Sequence, residues 1–396
     1  MSISDTRGCE RMEQEILFPG DTLGIIGGNP NGIMLARTAK KMGFTVVVYC
    51  SDESNPVLAE ADVKMVGKLN EKTKLQDFAQ RCDLVTYTSE TIDVEAVKFL
   101  QRFTRVPQGS DTLEITQDRL LERAFFEQLN INVAPYATIV SLDDVYQAVS
   151  SIGYPCILKP IQKGFGKHRK QIIKKQTDIA KCADIIDLGT YILESWIPYE
   201  KELSLTLARD KDGNLTYFPI AEDYYREHHL HATLTPVALA SEVATEVKRL
   251  TAEIVKELDY VGILQAEFFL TKSGALYIKR IIPALYASGY VFDKATDVSM
   301  FEQHLRALAQ IPLAKPNLVK PTEMVMIETK DTDALRTQWV LKDNWHYNYF
   351  RYPKSLHPVK AEGYVLVTAD SSKNAKEQVE ATGIWDEITA ENEIVE

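Results

Sequence analysis

Apolar positions along this chain alternate between period-two runs and helically spaced runs, and their order sets the fold class. Thr22 to Ile26 reads as a buried strand ended by Gly27-Gly28. Asn31 to Met42 follows with apolar residues at Ile33, Met34, Ala36 and Ala39, the spacing of a helix face, and Thr45 to Tyr49 is a second strand. A strand–helix–strand opening of this kind predicts an α/β domain with parallel strands. Asp83 to Tyr87 adds a strand and Val94 to Phe103 a helix, so the first domain is placed at residues 20–107. Beyond it, Asp118 to Leu129 and Leu142 to Ile152 predict helices around an Ala134-Pro135-Tyr136 turn, and Cys156 to Pro160 predicts a strand. Ala266 to Leu270 and Ala275 to Ile282 read as two buried strands joined by Lys272-Ser273-Gly274. The central domain is placed at 108–313. The remainder, 314–396, carries strand patterns at Glu323 to Ile327, Tyr347 to Tyr352 and Gly363 to Thr368 and reads as a small β-rich module.

A chain of 396 residues with 45% hydrophobic content supports two or three such domains. Its net charge of -11 argues against a nucleic-acid partner. The exception is local: Lys159 to Lys175 holds eight Lys, Arg or His residues, a surface suited to a phosphate group. Five cysteines without a CxxC spacing (Cys9, Cys50, Cys82, Cys156 and Cys182) read as free thiols of a reducing compartment. No apolar run is long enough for a membrane span, and the polar first twelve residues carry no signal-peptide core. These features place the protein in the cytoplasm, with neither membrane nor nucleic acid as a partner.

Chemistry enters where charge interrupts apolar strands, because a buried charge is costly unless it is paired or bound. Glu267 is a lone carboxylate within Ala266 to Leu270, and Lys279 and Arg280 sit between Tyr277-Ile278 and Ile281-Ile282. Lys159 ends an apolar strand just before a glycine-containing loop, where an ammonium can meet phosphates. Gly27-Gly28-Asn29-Pro30-Asn31-Gly32 is a glycine-rich turn into a helix, compatible by itself with a dinucleotide or other phosphate site. His228, His229 and His231 lack a second ligand cluster and read as a solvated loop.

From about Leu23 to Asp370 the chain resembles the carboxyaminoimidazole ribonucleotide synthases, ATP-grasp ligases of purine biosynthesis. That resemblance implies an ATP-grasp fold with an N-terminal pre-ATP-grasp domain, a homodimer, and a small-molecule nucleotide substrate. It implies ATP held by Arg123, Lys159, the hinge Glu194-Ser195-Trp196-Ile197, and Glu202 on the ribose. Glu267 corresponds to a Mg²⁺ ligand, with Arg280 and Lys354 at positions that serve catalysis. The family reaction activates bicarbonate with ATP and transfers the carboxyl group to aminoimidazole ribonucleotide. Here the chain departs from the family's pattern. Lys279-Arg280 stands where the family has Asn-Glu, so one Mg²⁺ ion at most is expected, and a dispensable one. The loop Lys163 to Lys170 lacks the family's acidic residue, and Pro283-Ala284-Leu285-Tyr286-Ala287-Ser288-Gly289-Tyr290 replaces its Arg, Asn and His run. These changes leave three activities open: the family ligation, nucleotide binding without turnover, or ligation to another acceptor. They also leave Arg280 two roles, sealing the pocket against Glu267 or lying along a triphosphate.

Overall fold

The computed structural model describes residues 16–163, 170–186, 189–226, 229–351 and 361–385. Lys354, Cys9, His228 and the segment 164–169 lie outside the described residues, so the expectations placed on them have no structural counterpart here.

The first layer is a parallel sheet of β1 (Thr22–Ile26), β2 (Thr45–Cys50), β3 (Val63–Val66) and β4 (Leu84–Tyr87), in the order β3-β2-β1-β4. Near-continuous apolar strands β1, β2 and β4 are what a sheet covered on both faces requires. The helix Pro30–Lys41 covers one face with Ile33, Leu35, Ala36 and Ala39. Its N-cap is Asn29, whose side chain accepts from Gly32 N–H at 3.1 Å and from the Thr88 hydroxyl at 2.7 Å. The Asn29-Pro30 pair therefore fixes the helix start and ties it to the end of β4.

The second layer is a small antiparallel sheet of β5 (Tyr136–Ile139), β6 (Cys156–Pro160), β7 (Gln171–Ile173) and β8 (Tyr191–Ser195), ordered β5-β8-β6-β7. It has its own core of Ile139, Val145, Leu158, Ile179 and Leu193. The third is a nine-stranded sheet built from β9 (Tyr199–Arg209), β10 (Leu215–Tyr217), β11 (Ala221–Arg226), β12 (His229–Thr235), β13 (Gly262–Thr271), β14 (Leu276–Ile282), β15 (Thr322–Ile327), β16 (Trp345–Tyr349) and β17 (Gly363–Thr368). Its main path runs β14-β13-β9-β11-β12-β15-β17-β16, with β10 on β9. The strands of residues 314–396 thus continue the central sheet, because β15 pairs with β12 along Thr322 to Val325. The histidine segment is also strand rather than loop: His229 and His231 belong to β12, and the period-two alternation turns His231 inward, where it is 7% exposed. Cys50, Cys82, Cys156 and Cys182 are buried free thiols. Among the described residues no helix is long and apolar enough to cross a membrane.

The first, parallel sheet and the large sheet are locked together through His304. Burial pushes this imidazole down to about 3, so it is neutral. Its Nδ1 accepts from Ile263 N–H at 3.0 Å, and its Nε2 lies 3.0 Å from the Thr86 hydroxyl at the end of β4. The close approach depends on Gly262, whose φ is +130° and where a Cβ would come within 2.8 Å of the imidazole. Gly262→Ala combines backbone strain with a clash, so it is expected to cost about 2–3 kcal/mol of stability. Urea unfolding followed by circular dichroism checks this, and an unchanged midpoint would remove the glycine from the lock.

Candidate nucleotide cleft

A cleft of about 260 Å³ opens between the small sheet and the β9, β13 and β14 end of the large one. Five elements each deliver a charge. The helix Arg119–Gln128 carries Arg119, Glu122 and Arg123 at helical spacings of three and four, so all three share the face toward the cleft. β6 brings Lys159, β8 brings Glu194, β9 brings Glu202, and β14 brings Lys279 and Arg280. Ser195, Trp196 and Ile197 form the connection from β8 to β9 at one wall, and Tyr199 and Phe269 stack there with ring centroids 4.6 Å apart. The structure thus brings together Arg123, Lys159, Glu194, Ser195, Trp196, Ile197, Glu202 and Arg280.

Each carboxylate in this cleft is matched. Glu194 accepts from Arg123 Nε at 2.9 Å and from Lys159 Nζ at 2.6 Å. Burial alone would push its carboxyl up, but those two cations hold it well below the usual range. Glu194 is therefore a buried anchor that aims Arg123 and Lys159. Glu122 accepts from Lys163 Nζ at 2.6 Å and from Ile281 N–H at 3.0 Å. Glu202 accepts from Lys279, and burial raises its carboxyl. The hinge is partly engaged by the protein itself: Ser195 N–H donates to Pro135 at 2.8 Å and Trp196 N–H to Pro155 at 3.0 Å. The carbonyls of this connection and the Ile197 segment remain the groups it can offer to a ligand.

Glu267, expected from the resemblance to hold a metal ion, sits behind the cleft wall. It is fully buried and does not line the cleft. The β13–β14 ladder pairs Glu267 with Arg280 and Phe268 with Ile278, which leaves Lys279 as an extra residue. This β-bulge breaks the alternation that would send neighbouring side chains to opposite faces, so Lys279 and Arg280 both point into the cleft. Arg280 donates to Glu267 through Nε at 2.8 Å and Nη2 at 2.9 Å. Arg280 pairs with Glu267 without sealing the pocket, since it also lines the open cavity.

Sequence reasoning missed Arg119, Glu122, Lys163, Lys170, Tyr225 and Tyr286, which also line the cleft. The signal for the first two was the shared helix face with Arg123, and for the lysines the basic segment beginning at Lys159. Tyr225 and Tyr286 carried none, because their rings reach the site only through the packing of Lys279 and Arg280 over them at 4.1 Å and 4.9 Å. A second cavity of about 180 Å³ lies beside the glycine turn, lined by Gly27, Gly28, Asp52, Asn55, Ser89 and Thr91 among others.

Comparison with known proteins gives the class and then the family. The ATP-grasp domain family matches residues 124–301, and the ribonucleotide synthetase preATP-grasp domain family matches residues 21–117. The N5-carboxyaminoimidazole ribonucleotide synthase of Bacillus subtilis (strain 168) is 33% identical over 314 residues, 79% of this chain and 83% of its own length. The Staphylococcus aureus (strain COL) enzyme is 30% identical over 90% of this chain and 96% of its own. A crystal structure of an ADP complex of N5-carboxyaminoimidazole ribonucleotide synthetase superposes with a TM-score of 0.90 at 29% identity, covering 95% of this chain and 99% of that one. This chain belongs to the N5-carboxyaminoimidazole ribonucleotide synthase family of ATP-grasp proteins.

The surplus of cations has a pH consequence. Burial lowers Lys163 to about 8 despite Glu122, and burial with repulsion from Lys159 and Arg119 lowers Lys170 to about 8. A bound polyanion favours the protonated form of both. Affinity for a polyphosphate is therefore expected to hold below about pH 8 and to fall as the pH rises through that value. Calorimetric titration of ATP from about pH 7 to about pH 9 reads this directly, and a flat profile would take both lysines off the binding surface.

Proposed function

We propose that this cleft binds ATP and that the chain is a ligase of the carboxyaminoimidazole ribonucleotide synthase type. The reaction to which family membership points is ATP-dependent formation of carboxyaminoimidazole ribonucleotide from bicarbonate and aminoimidazole ribonucleotide. One observation carries the nucleotide half: among the described residues, seven Lys or Arg side chains converge on a cavity that three glutamates line, beside a hinge and an aromatic wall. A polyanion with a flat base is the ligand that such a lining complements. Arg123 Nη1 supports it further, since among the described residues this buried donor makes no hydrogen bond, its ion pair with Glu122 being 3.6 Å long.

In this reading, Lys159 and Arg123 hold phosphate oxygens, Glu194 fixes both cations, Ser195 to Ile197 receive the base, and Glu202 faces the ribose. Phosphoryl transfer rests mostly on positioning and charge neutralisation, which Arg280 and Lys279 supply from the protein. The ribonucleotide acceptor is assigned to the cavity beside Gly27-Gly28, and a cytoplasmic homodimer belongs to the same proposal. The exposed side chains of Trp339, Val340 and Leu341 offer apolar surface that a second copy would cover.

A specific observation favours slow turnover. The carboxylate that the resemblance assigns to metal is neutralised by Arg280, and Ala284, Tyr286, Ala287 and Tyr290 stand where the family carries Arg, His and Asn. Carboxylation of aminoimidazole ribonucleotide is therefore expected at least about a thousand-fold below the Bacillus subtilis relative, a barrier higher by about 4 kcal/mol. A coupled ADP-release assay with bicarbonate and aminoimidazole ribonucleotide decides it: release at the relative's rate, dependent on both, overturns the expectation of slow turnover.

Lys159→Ala removes a charge-assisted contact and is expected to weaken ATP binding roughly ten-fold or more. Calorimetry with the purified variant measures the loss, and wild-type affinity in that variant would displace the phosphates from β6.

A further inference from the structure

The residues around Glu267 do not fit a divalent cation. Magnesium seeks near-octahedral oxygen donors and commonly takes one or two carboxylates together with phosphates and waters. Both oxygens of Glu267 are already engaged. Oε2 accepts from Arg280 Nε at 2.8 Å and lies 3.1 Å from Lys279 Nζ. Oε1 accepts from Arg280 Nη2 at 2.9 Å, and from Tyr225 and Gln265 at 3.2 Å each. Of the other carboxylates close by, Glu202 is held by Lys279. Asp223 accepts from the Thr233 hydroxyl at 2.8 Å, and burial together with the neighbouring Glu267 pushes its carboxyl up to about 8, toward the protonated form that a cation does not favour.

This arrangement is built into the backbone. Arg280 is the cross-strand partner of Glu267, and the bulge at Lys279 sets the ammonium beside the guanidinium on one face. The rings of Tyr225 and Tyr286 lie under the two cations at 4.1 Å and 4.9 Å. Glu267 has no exposed side-chain surface, whereas Lys279 and Arg280 keep 24% and 22% of theirs. What the cleft presents at this point is positive charge with N–H donors. Glu267 engages Nε and Nη2, while Nη1 makes an ion pair with Glu90 at 3.8 Å, a separation too long for a hydrogen bond, so its N–H groups remain donors that an anion in the cleft can take.

We propose that the cleft takes a nucleoside di- or triphosphate as the metal-free polyanion, with Arg280 and Lys279 neutralising the charge that a bound ion would otherwise meet. The proposal rests on the nucleotide reading above and adds a sign to it. A metal carried in on the phosphates would be pressed against two fixed cations, and its complex with ATP is less negative than ATP alone. Magnesium should therefore leave binding unchanged or weaken it.

The test is calorimetric titration of ATP and ADP into the full chain, first in EDTA and then in millimolar Mg²⁺. Binding in EDTA that magnesium leaves equal or weakens several-fold is the expected result. Binding only with magnesium, or clearly tighter with it, overturns this proposal while leaving the nucleotide site in place. Absence of binding in both buffers removes the site itself, so the two failures are distinct. Manganese alone, followed by its paramagnetic resonance signal, is expected to stay free in the presence of the unliganded protein. Lys279→Asn combined with Arg280→Glu returns oxygen donors to the cleft and should make ATP binding depend on magnesium. Arg280→Met, the milder change, should weaken binding in EDTA about ten-fold. Wild-type affinity in a folded Arg280→Met protein would exclude the guanidinium from the anion's surroundings.

Discussion

Desolvated carboxylates organise this molecule. Glu122, Glu194, Glu202 and Glu267 are each at least nine-tenths buried, and each sits where two or three separate elements meet. An ionised carboxylate in such a place costs several kcal/mol unless cations and N–H groups surround it. Every one of them therefore dictates where a lysine or arginine from a distant segment must lie. Glu194 joins the helix at Arg123 to β6, Glu122 joins that helix to Lys163 and to the Ile281 amide, and Glu267 joins β13 to β14. The small sheet, the helix and the large sheet are held in mutual register by charge matching across the cleft. The cations so placed outnumber the acids that placed them, and the excess faces the cavity.

The relation between sequence and structure differs between layers. Helix and strand positions were largely legible because burial on one face or two imprints period and polarity directly on the residues. Leu142–Ile152, Cys156–Pro160 and Gly363–Thr368 have the bounds expected of them. The C-terminal strands looked like a separate module because a pairing partner in a sheet leaves no local mark. The interruption of two apolar strands by charge pointed to Glu267, Lys279 and Arg280, and residue types in order pointed to the hinge. The bulge was hidden, since nothing in Tyr277-Ile278-Lys279-Arg280 says which residue will lack a partner. Without it, one of the two adjacent cations would have pointed away from the cleft.

Glu267 is also where resemblance and geometry part. Family likeness treats this position as an oxygen ligand awaiting an ion. In this chain the ladder supplies the counter-charge covalently, one strand away. The carboxylate orients a fixed cation from the neighbouring strand, and what the cleft presents beside it is positive charge.

The pairing of β12 with β15 bears on how the chain reaches this state. β12 ends at Thr235 and its neighbour begins at Thr322, with two strands of the opposite end of the sheet and two long helices emerging between them. During synthesis the β12 edge consequently stands open while that stretch leaves the ribosome, an unpaired row of backbone donors and acceptors that other chains could join. The last fifth of the sequence therefore works as a late-arriving cover for a sheet edge. Truncating it would expose β12 rather than trim an appendage.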